Sequence, residues 1–394
     1  MKKYKLEEVL SISSISVIPQ AGITYKLYSL PSFDDGQEPE TARGEAIQSN
    51  KYVVPTHCIL FNKLNVRFKR IWRIDNNTPN KLCSTEFLPL VINDDIIDYQ
   101  YCYYLLASDY LTNYLCGINS NTSGSHKRIN PDMLLSVDVV LPPLKEQKCI
   151  GSMLANLDRK IALNRALNHN LEAMAKQLYD YWFVQFDFPD KNGRPYKSSG
   201  GKMVWNEKLK REIPDGWKVA NIRRVLDKVI TTPRVSTAEY LLSGSYPVID
   251  QTSDVYCAGF TERQDAVVNQ YPAVVFGDHS CAVKYVNFPF ARGADGTQVI
   301  LSKEKNVSIE YLYYVVKDVK IRKGYARHFS FLKEHPIILP SETEAKKFQG
   351  TVQILFEQIT RNRKENLSLT KLRDELLPLL MNGQVSVNYD LSND

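Results

Sequence analysis

The sequence predicts a mixed α/β (α+β) fold written twice: two mixed α/β domains separated by two long antiparallel coiled-coil helices, with an internal pseudo-two-fold repeat. Three observations predict it. Residues 142–183 recur at 340–381 without a gap, so that Pro142, Glu146, Lys148, Leu157, Ile161, Asn164, Asn168, Leu171 and Leu178 meet Pro340, Glu344, Lys346, Leu355, Ile359, Asn362, Asn366, Leu369 and Leu376. Each copy carries a heptad seam. The block before each copy holds short β-branched and aromatic runs broken by turn residues, in a shared order.

Positions 150, 154, 157, 161, 164, 168, 171, 175, 178 and 182 advance by four and three and hold Ile, Leu, Leu, Ile, Asn, Asn, Leu, Ala, Leu and Trp. The second copy places Phe348, Val352, Leu355, Ile359, Asn362, Asn366, Leu369, Arg373, Leu376 and Leu380 on the same positions, with Arg373 the one misfit. Antiparallel pairing sets Asn164 against Asn366 and Asn168 against Asn362. A slip by one layer leaves an amide facing Leu or Ile, at about 1–3 kcal/mol for each unpaired group, so these four asparagines are expected to fix the register. The seam alone also permits a parallel pair. Connectivity decides for the antiparallel one, because a helix of about 33 residues is roughly 50 Å long and a parallel partner makes the chain travel that length back. Ser341 with Glu344 has capping-box spacing, and Pro142-Pro143 fits a first helical turn. Pro378 should kink or end the second helix, with Asn382-Gly383 as its stop.

A chain of 394 residues holds two or three domains. With 24% charged and 43% hydrophobic residues its composition is that of an ordinary globular protein, and a net charge of +6 permits a polyanionic partner without demanding one. Seven cysteines and no C-x-x-C pair predict reduced thiols and a cytoplasmic setting. Glu7-Glu8 stands where a signal peptide needs apolar residues, and no run reaches the roughly 18 apolar residues of a membrane span.

The expected division is a first domain at 1–141, the central long helix at 142–184, a connector of turns and exposed loop at 185–216, a second domain at 217–340, the C-terminal long helix at 341–383, and a tail at 384–394. In the first domain, 51–61, 70–74 and 87–92 read as strands, 21–50 as loop, 99–115 as helix, 117–128 as a polar loop and 137–141 as a strand. The second domain repeats the plan: YLYYVVK answers YCYYLL, the stretch Gly324–His328 answers Gly124–Arg128, and PIILP answers VVLP. The helices keep register while the domains diverge, as expected of one frame carrying two different reading heads.

The charge of the first domain concentrates in LFNKLNVRFKRIWRI, with Lys63, Arg67, Lys69, Arg70 and Arg73 before any acid. Interleaved apolar residues make this a strand or hairpin whose cations can track phosphates, though a solvated strand face has the same pattern. The loop around Ser123, Ser125, His126, Lys127 and Arg128 can approach base edges, and is equally an ordinary surface turn. In the second domain Arg322, Lys323, Tyr325, Arg327 and His328 form the matching cluster. Asn65, His279 and Lys284 are further candidate contacts. Asp278, His279 and Asp295 lack a second His or a thiolate at ligand spacing, so no metal site is expected, and Cys281 beside His279 makes no nucleophile constellation. G-x-x-x-x-G-K-[ST], G-x-S-x-G and H-E-x-x-H are absent, and no catalytic residue is expected.

The segments LPPLKEQK, LDRKIALNRALNHNLEAMAKQLYDYWFVQFDFP, IPDGWK and LRDELLPLLMNGQV, with YVVPTHCILFNKLNVRFKRIW, TSGSHKRI, FGDHSCAVKYVNFPFARGADG and KGYARHFSFLKE inside the domains, resemble the specificity (S) subunit of type I restriction-modification enzymes over essentially the full length. The first domain departs from the pattern in lacking the D-G-W opening present at Asp215-Gly216-Trp217, and begins at Tyr4-Lys5-Leu6. The resemblance implies two target recognition domains, each reading one half of a split double-stranded DNA sequence, in a bacterial or archaeal cytoplasm. It implies two modification (M) subunits that bind S-adenosylmethionine and methylate adenine, and restriction (R) subunits that use ATP and Mg; no cofactor belongs to this chain. The exposed helix faces and Tyr181, Trp182 and Phe183 are expected to hold partner subunits, although Trp182 fits the seam as well. A helix pair of roughly 50 Å would act as a ruler between half-sites, near one turn of DNA apart at their inner edges. A system that only methylates, a coiled-coil adaptor without DNA affinity, and an enzyme in its own right are the alternatives.

Overall fold

In the computed structural model, which describes residues 1–118, 128–229, 231–253, 255–321 and 328–385, the two seam segments form helices at Leu144–Tyr179 and Glu342–Met381. No seam position of either helix is exposed. The Ser341 hydroxyl accepts the Glu344 amide at 3.3 Å, capping the second helix as its spacing predicts. Its far end is a Schellman turn, with Gly383 at φ +65, the Gly383 amide on Leu380 O and the Gln384 amide on Leu379 O. Pro378 does not end the helix, which runs on to Met381. Leu380 and Met381, just beyond it, are buried in the first core with the partly buried Leu376 and Leu377 packed against it, and that burial offsets the roughly 3 kcal/mol cost of an interior proline. The first helix passes into a single π-helical turn, Asp180–Val184, closed by the Gln185 amide on Asp180 O.

The chain divides into two compact units: Met1–Leu163 with Glu365–Asp394, and Asn164–Lys364. Each contains a head and one stretch of the helix pair, antiparallel in both. Within the second unit Asn168 meets Asn362, Glu172 meets Arg363 and Trp182 meets Phe348. Within the first, Asp158 meets Arg373 and Ile161 O accepts Asn366 Nδ2. The misfit Arg373 thus has a reason, since it reaches Asp158 Oδ1 at 2.9 Å while Tyr104 donates its hydroxyl to Asp158 Oδ2 at 2.5 Å.

The duplication extends through the heads. In the first, Lys2–Lys5 pairs antiparallel with Asp138–Leu141; in the second, Lys218–Asn221 pairs likewise with Pro336–Leu339. The first strand of the chain therefore stands where the second head begins just after Trp217, despite lacking the D-G-W opening. His57–Asn62 lies between Phe87–Ile92 and Ile71–Asp75, as Ala273–Gly277 lies between Thr297–Ile300 and Val283–Val286. These central strands are buried on both faces, which is why they read as unbroken apolar runs. A further sheet runs Ser16–Val17, Lys51–Val53, Lys81–Cys83, Thr24–Tyr28, Glu40–Arg43 in one head and Val267–Val268, Phe290–Arg292, Tyr246–Ile249, Gly259–Thr261 in the other, with Lys81–Cys83 parallel to Thr24–Tyr28 and Phe290–Arg292 parallel to Tyr246–Ile249. Helices Tyr99–Leu106 and Ile309–Asp318, N-capped by Asp98 and Ser308, pack on the long helices. The approach in the first unit is so close that a Cβ on Gly151 would stand 2.7 Å from the Tyr101 amide nitrogen.

Three local expectations are corrected. Residues 21–50 contain the strands Thr24–Tyr28 and Glu40–Arg43 around a short helix, Leu30–Asp34; Tyr25 and Leu27 point inward in a stretch whose composition reads as loop. The helix expected at 99–115 breaks at Ser108, whose hydroxyl accepts the Leu111 amide and starts a second helix, Asp109–Ile118. The connector carries the hairpin Met203–Asn206 and Arg211–Pro214, while Phe186 and Phe188 pack on Trp217 as part of the second core.

Candidate nucleic-acid interface

Each head exposes the tip of its central hairpin. In the first, buried Asn62 shapes the chain by accepting the Leu64 amide at 2.8 Å and donating to Leu64 O at 2.5 Å. A 3-10 turn, Val66–Phe68, follows between Asn65 and Lys69, both left-handed at φ 51 and 47. Val66 enters the core, so Arg67 and Phe68 must project. Phe68 is 51% exposed, and the guanidinium groups of Arg67 and Arg70 each lie 4.8 Å from its ring centroid.

The chain then returns to this tip. The Ile129 amide donates to Lys63 O at 3.0 Å, and Arg128 pairs with Leu64. In the second head the His328 amide donates to Asp278 O at 3.1 Å, the topologically matching stitch, and the Phe329 amide donates to Asp278 Oδ1 at 2.7 Å. Cys281 takes the left-handed conformation there at φ 58, and His279 is exposed. A cleft of roughly 390 Å³ beside it is lined by Arg234, Asp278, His279, Asp295, Gly296 and Gln298. Arg234 is paired with Asp295 at 2.8 Å, and the Gln251 side chain bridges the His279 amide and Asp295 O. The two tips therefore share a backbone frame and differ in chemistry: a cationic and aromatic surface in one head, a polar cleft with an imidazole at its rim in the other.

Electrostatics narrows the predicted contact set. Lys69 is held by Asp109 at 2.5 Å, Arg70 by both oxygens of Asp34 at 2.7 Å, and Arg128 by both oxygens of Glu86. The hydrogen bonds to Asp34 and Glu86 raise the pKa values of Arg70 and Arg128 above the ordinary arginine value. Arg73 turns to Gln100 and lies over the Tyr103 ring. Among the described residues, Lys63 and Arg67 are the cations of this run that meet neither a carboxylate nor a side-chain amide.

Several predicted residues are placed elsewhere. Lys284 is 7% exposed, donates to Val255 O at 2.7 Å and faces Asp250 at 3.7 Å; burial lowers its pKa, and it ties strands together inside the head. The His328 side chain is buried, so only its backbone takes part in the tip. Trp182 and Phe183 are core residues of the second unit, packed on Phe348, with Phe183 also on Tyr311 and Trp217; Tyr181 packs against the same core partly buried. Trp182 and Phe183 are not a free docking face, because the π turn directs them inward, while Tyr181 keeps part of its surface exposed. Ser123, Ser125, His126 and Lys127, like Arg322, Lys323, Tyr325 and Arg327, lie outside the described residues. Sequence reasoning passed over Phe68, Gln251, Arg234 and Gln298. For Phe68 a signal existed, an aromatic residue between cations in a turn.

Among the described residues no group of three or more His, Cys, Asp and Glu is arranged to hold a metal, and no helix is long and apolar enough to cross a membrane. The chain is 26% identical over 333 residues to the type I restriction enzyme MjaIX specificity subunit of Methanocaldococcus jannaschii, covering 78% of this chain and 74% of that one. It is 25% identical over 400 residues to the HindI specificity subunit of Haemophilus influenzae, covering 83% and 86%. The crystal structure of the type I restriction-modification S subunit from M. genitalium has the same fold, with a TM-score of 0.59 at 14% identity over 96% of this chain and 95% of that one. The profile of the type I restriction modification DNA specificity domain matches twice, at residues 1–173 and 214–370, the two halves in which the structure repeats its plan. Two copies of that domain account for most of the sequence, and the chain belongs to the type I restriction-modification specificity subunits, the non-catalytic DNA-recognition components of these systems.

Proposed function

We propose that this chain reads a split double-stranded DNA target, one half with each head, and serves as the scaffold on which modification and restriction subunits assemble. The observation that carries the reading is the matched pair of hairpin tips, each stitched to the point where the chain returns and each bearing different side chains on one frame. A duplicated frame with divergent tips is what recognition of two unlike half-sites requires. Lys63 and Arg67 contact phosphates; Asn65, His279 and side chains around residues 123–128 and 325–330 approach base edges. The helix pair spaces the halves and offers its outer faces to the modification subunits, where Leu167 and Met174 on one helix and Leu372 on the other stand exposed. S-adenosylmethionine, ATP and Mg are used by those partners and not by this chain. The test is co-expression with a modification subunit of the same system, followed by mapping of methylated adenines across the host genome. One bipartite motif with a constant gap is expected. A stable complex that adds no methylation would instead mark the chain as a protein adaptor.

A further inference from the structure

We propose that Phe68 is a wedge that inserts beside a base in the half-site read by the first head, unstacking one step of the duplex, with Arg67 fixed on the adjoining phosphate. The inference rests on the DNA-reading role proposed above and assigns it a residue and a mode. Large aromatic rings belong in cores, yet this one stands at the outermost turn of a hairpin. Its presentation is built. Buried Asn62 closes the chain before it, the left-handed residues Asn65 and Lys69 bound the turn, and Val66 anchors the turn from beneath. Arg70, locked by both oxygens of Asp34, supports the ring through one guanidinium. Arg67 supports it through another and, among the described residues, has no carboxylate partner, so its charge is available to a polyanion.

Charge and ring thus point to one occupant. A protein partner with an apolar pocket would bury Arg67 without an anion, whereas a duplex offers a base face and a phosphate within the reach of adjacent side chains. Apolar wedges of this kind part base steps and kink DNA, and base–aromatic stacks are favourable with any base. The second head carries His279 at its matching tip, so the wedge belongs to one half-site only.

The test uses the chain purified in complex with its modification subunits and a duplex carrying the mapped motif, with 2-aminopurine placed in turn at each position of the two half-sites. Wild type should brighten one step in one half-site. Phe68→Ala should bind at least about tenfold more weakly, with an unchanged salt slope and no brightening, and Phe68→Trp should retain both binding and signal. Arg67→Ala should reduce the salt slope by about one. Binding and brightening by Phe68→Ala equal to wild type would overturn the wedge and leave DNA reading intact. Equal loss in Phe68→Ala and Phe68→Trp with a reduced salt slope would also overturn it, showing that the ring only orients guanidinium groups. A wild-type complex without salt-dependent binding would overturn both the wedge and the reading beneath it.

Discussion

Asn362 Nδ2 donates to Asn168 Oδ1 at 2.8 Å, Gln358 Nε2 supplies Asn362 Oδ1 at 2.7 Å, and Asn168 Nδ2 reaches Ile359 O at 3.4 Å. Each buried amide is therefore committed to its neighbours. Asn362→Leu leaves the Asn168 carbonyl without its donor and should cost about 1–3 kcal/mol, read as a lowered urea midpoint. Asn168→Leu with Asn362→Leu should recover most of that loss, because two apolar partners restore a seam layer. Purely additive losses would show that the two amides do not act together. His57 gives a different kind of test. Burial opposes its charge, but the hydrogen bond to Asp75 at 2.9 Å and the field of Asp94 outweigh burial, so its pKa stands above the usual 6.5. A raised folded pKa means that its stabilisation is full below the unfolded value near 6.5 and is lost as pH rises through the folded value. Melting temperatures of wild type should accordingly fall more between pH 6 and pH 8 than those of His57→Gln. Parallel curves would show that the imidazole carries no proton-linked stability.

At the scale of elements, the repeat shows how a seam layer can change chemistry while keeping its place. Asp158 and Arg373 occupy the positions that Phe356 and Ala175 occupy in the other copy, so an ion pair in the first unit stands where a large and a small apolar residue meet the second core. Arg373→Ala should destabilise the chain by about 1–3 kcal/mol, discounted from a fully buried pair because both side chains keep some solvent contact. Arg373→Ala combined with Asp158→Leu should unfold later on heating than Arg373→Ala alone, since the uncompensated carboxylate is gone; an earlier transition would count against the ion pair as the reason for Arg373. The long helices, the Asn168–Asn362 layer and the cap at Ser341 were legible in the sequence because a period of three and four residues accumulates over ten layers. Thr24–Tyr28 was not, because five residues carry too few alternations to stand out from a polar neighbourhood. The pairing of Arg70 with Asp34, Lys69 with Asp109 and Arg128 with Glu86 was also hidden: these partners are 36, 40 and 42 residues apart and only the folded sheet joins them. Trp182 is buried as its place on the seam allows, whereas Phe183 misled, since the π turn that buries it leaves no mark in the heptad pattern.

The whole molecule repeats one plan, and the function proposed for it makes helix length a physical quantity of the DNA target. Helices of 36 and 40 residues are about 54–60 Å long at about 1.5 Å per residue. One heptad added to both, after Leu163 in the first and before Glu365 in the second, keeps the heptad phase of the seam and Asn168 opposite Asn362 in the lengthened pair; placing Asn at the inserted positions that come to face Asn164 and Asn366 gives those two amides polar partners. It adds about 10 Å, or about three base pairs at 3.4 Å each. The methylation map of this variant should keep both half-sites and widen the gap between them by about three base pairs. A heptad in one helix alone shifts one set of layers against the other and should abolish assembly instead, because side chains that met in register no longer do. Retained methylation with the original gap in the double insertion would show that spacing is set elsewhere, by the modification subunits or by bending of the DNA, and the helix pair would then be only a connector.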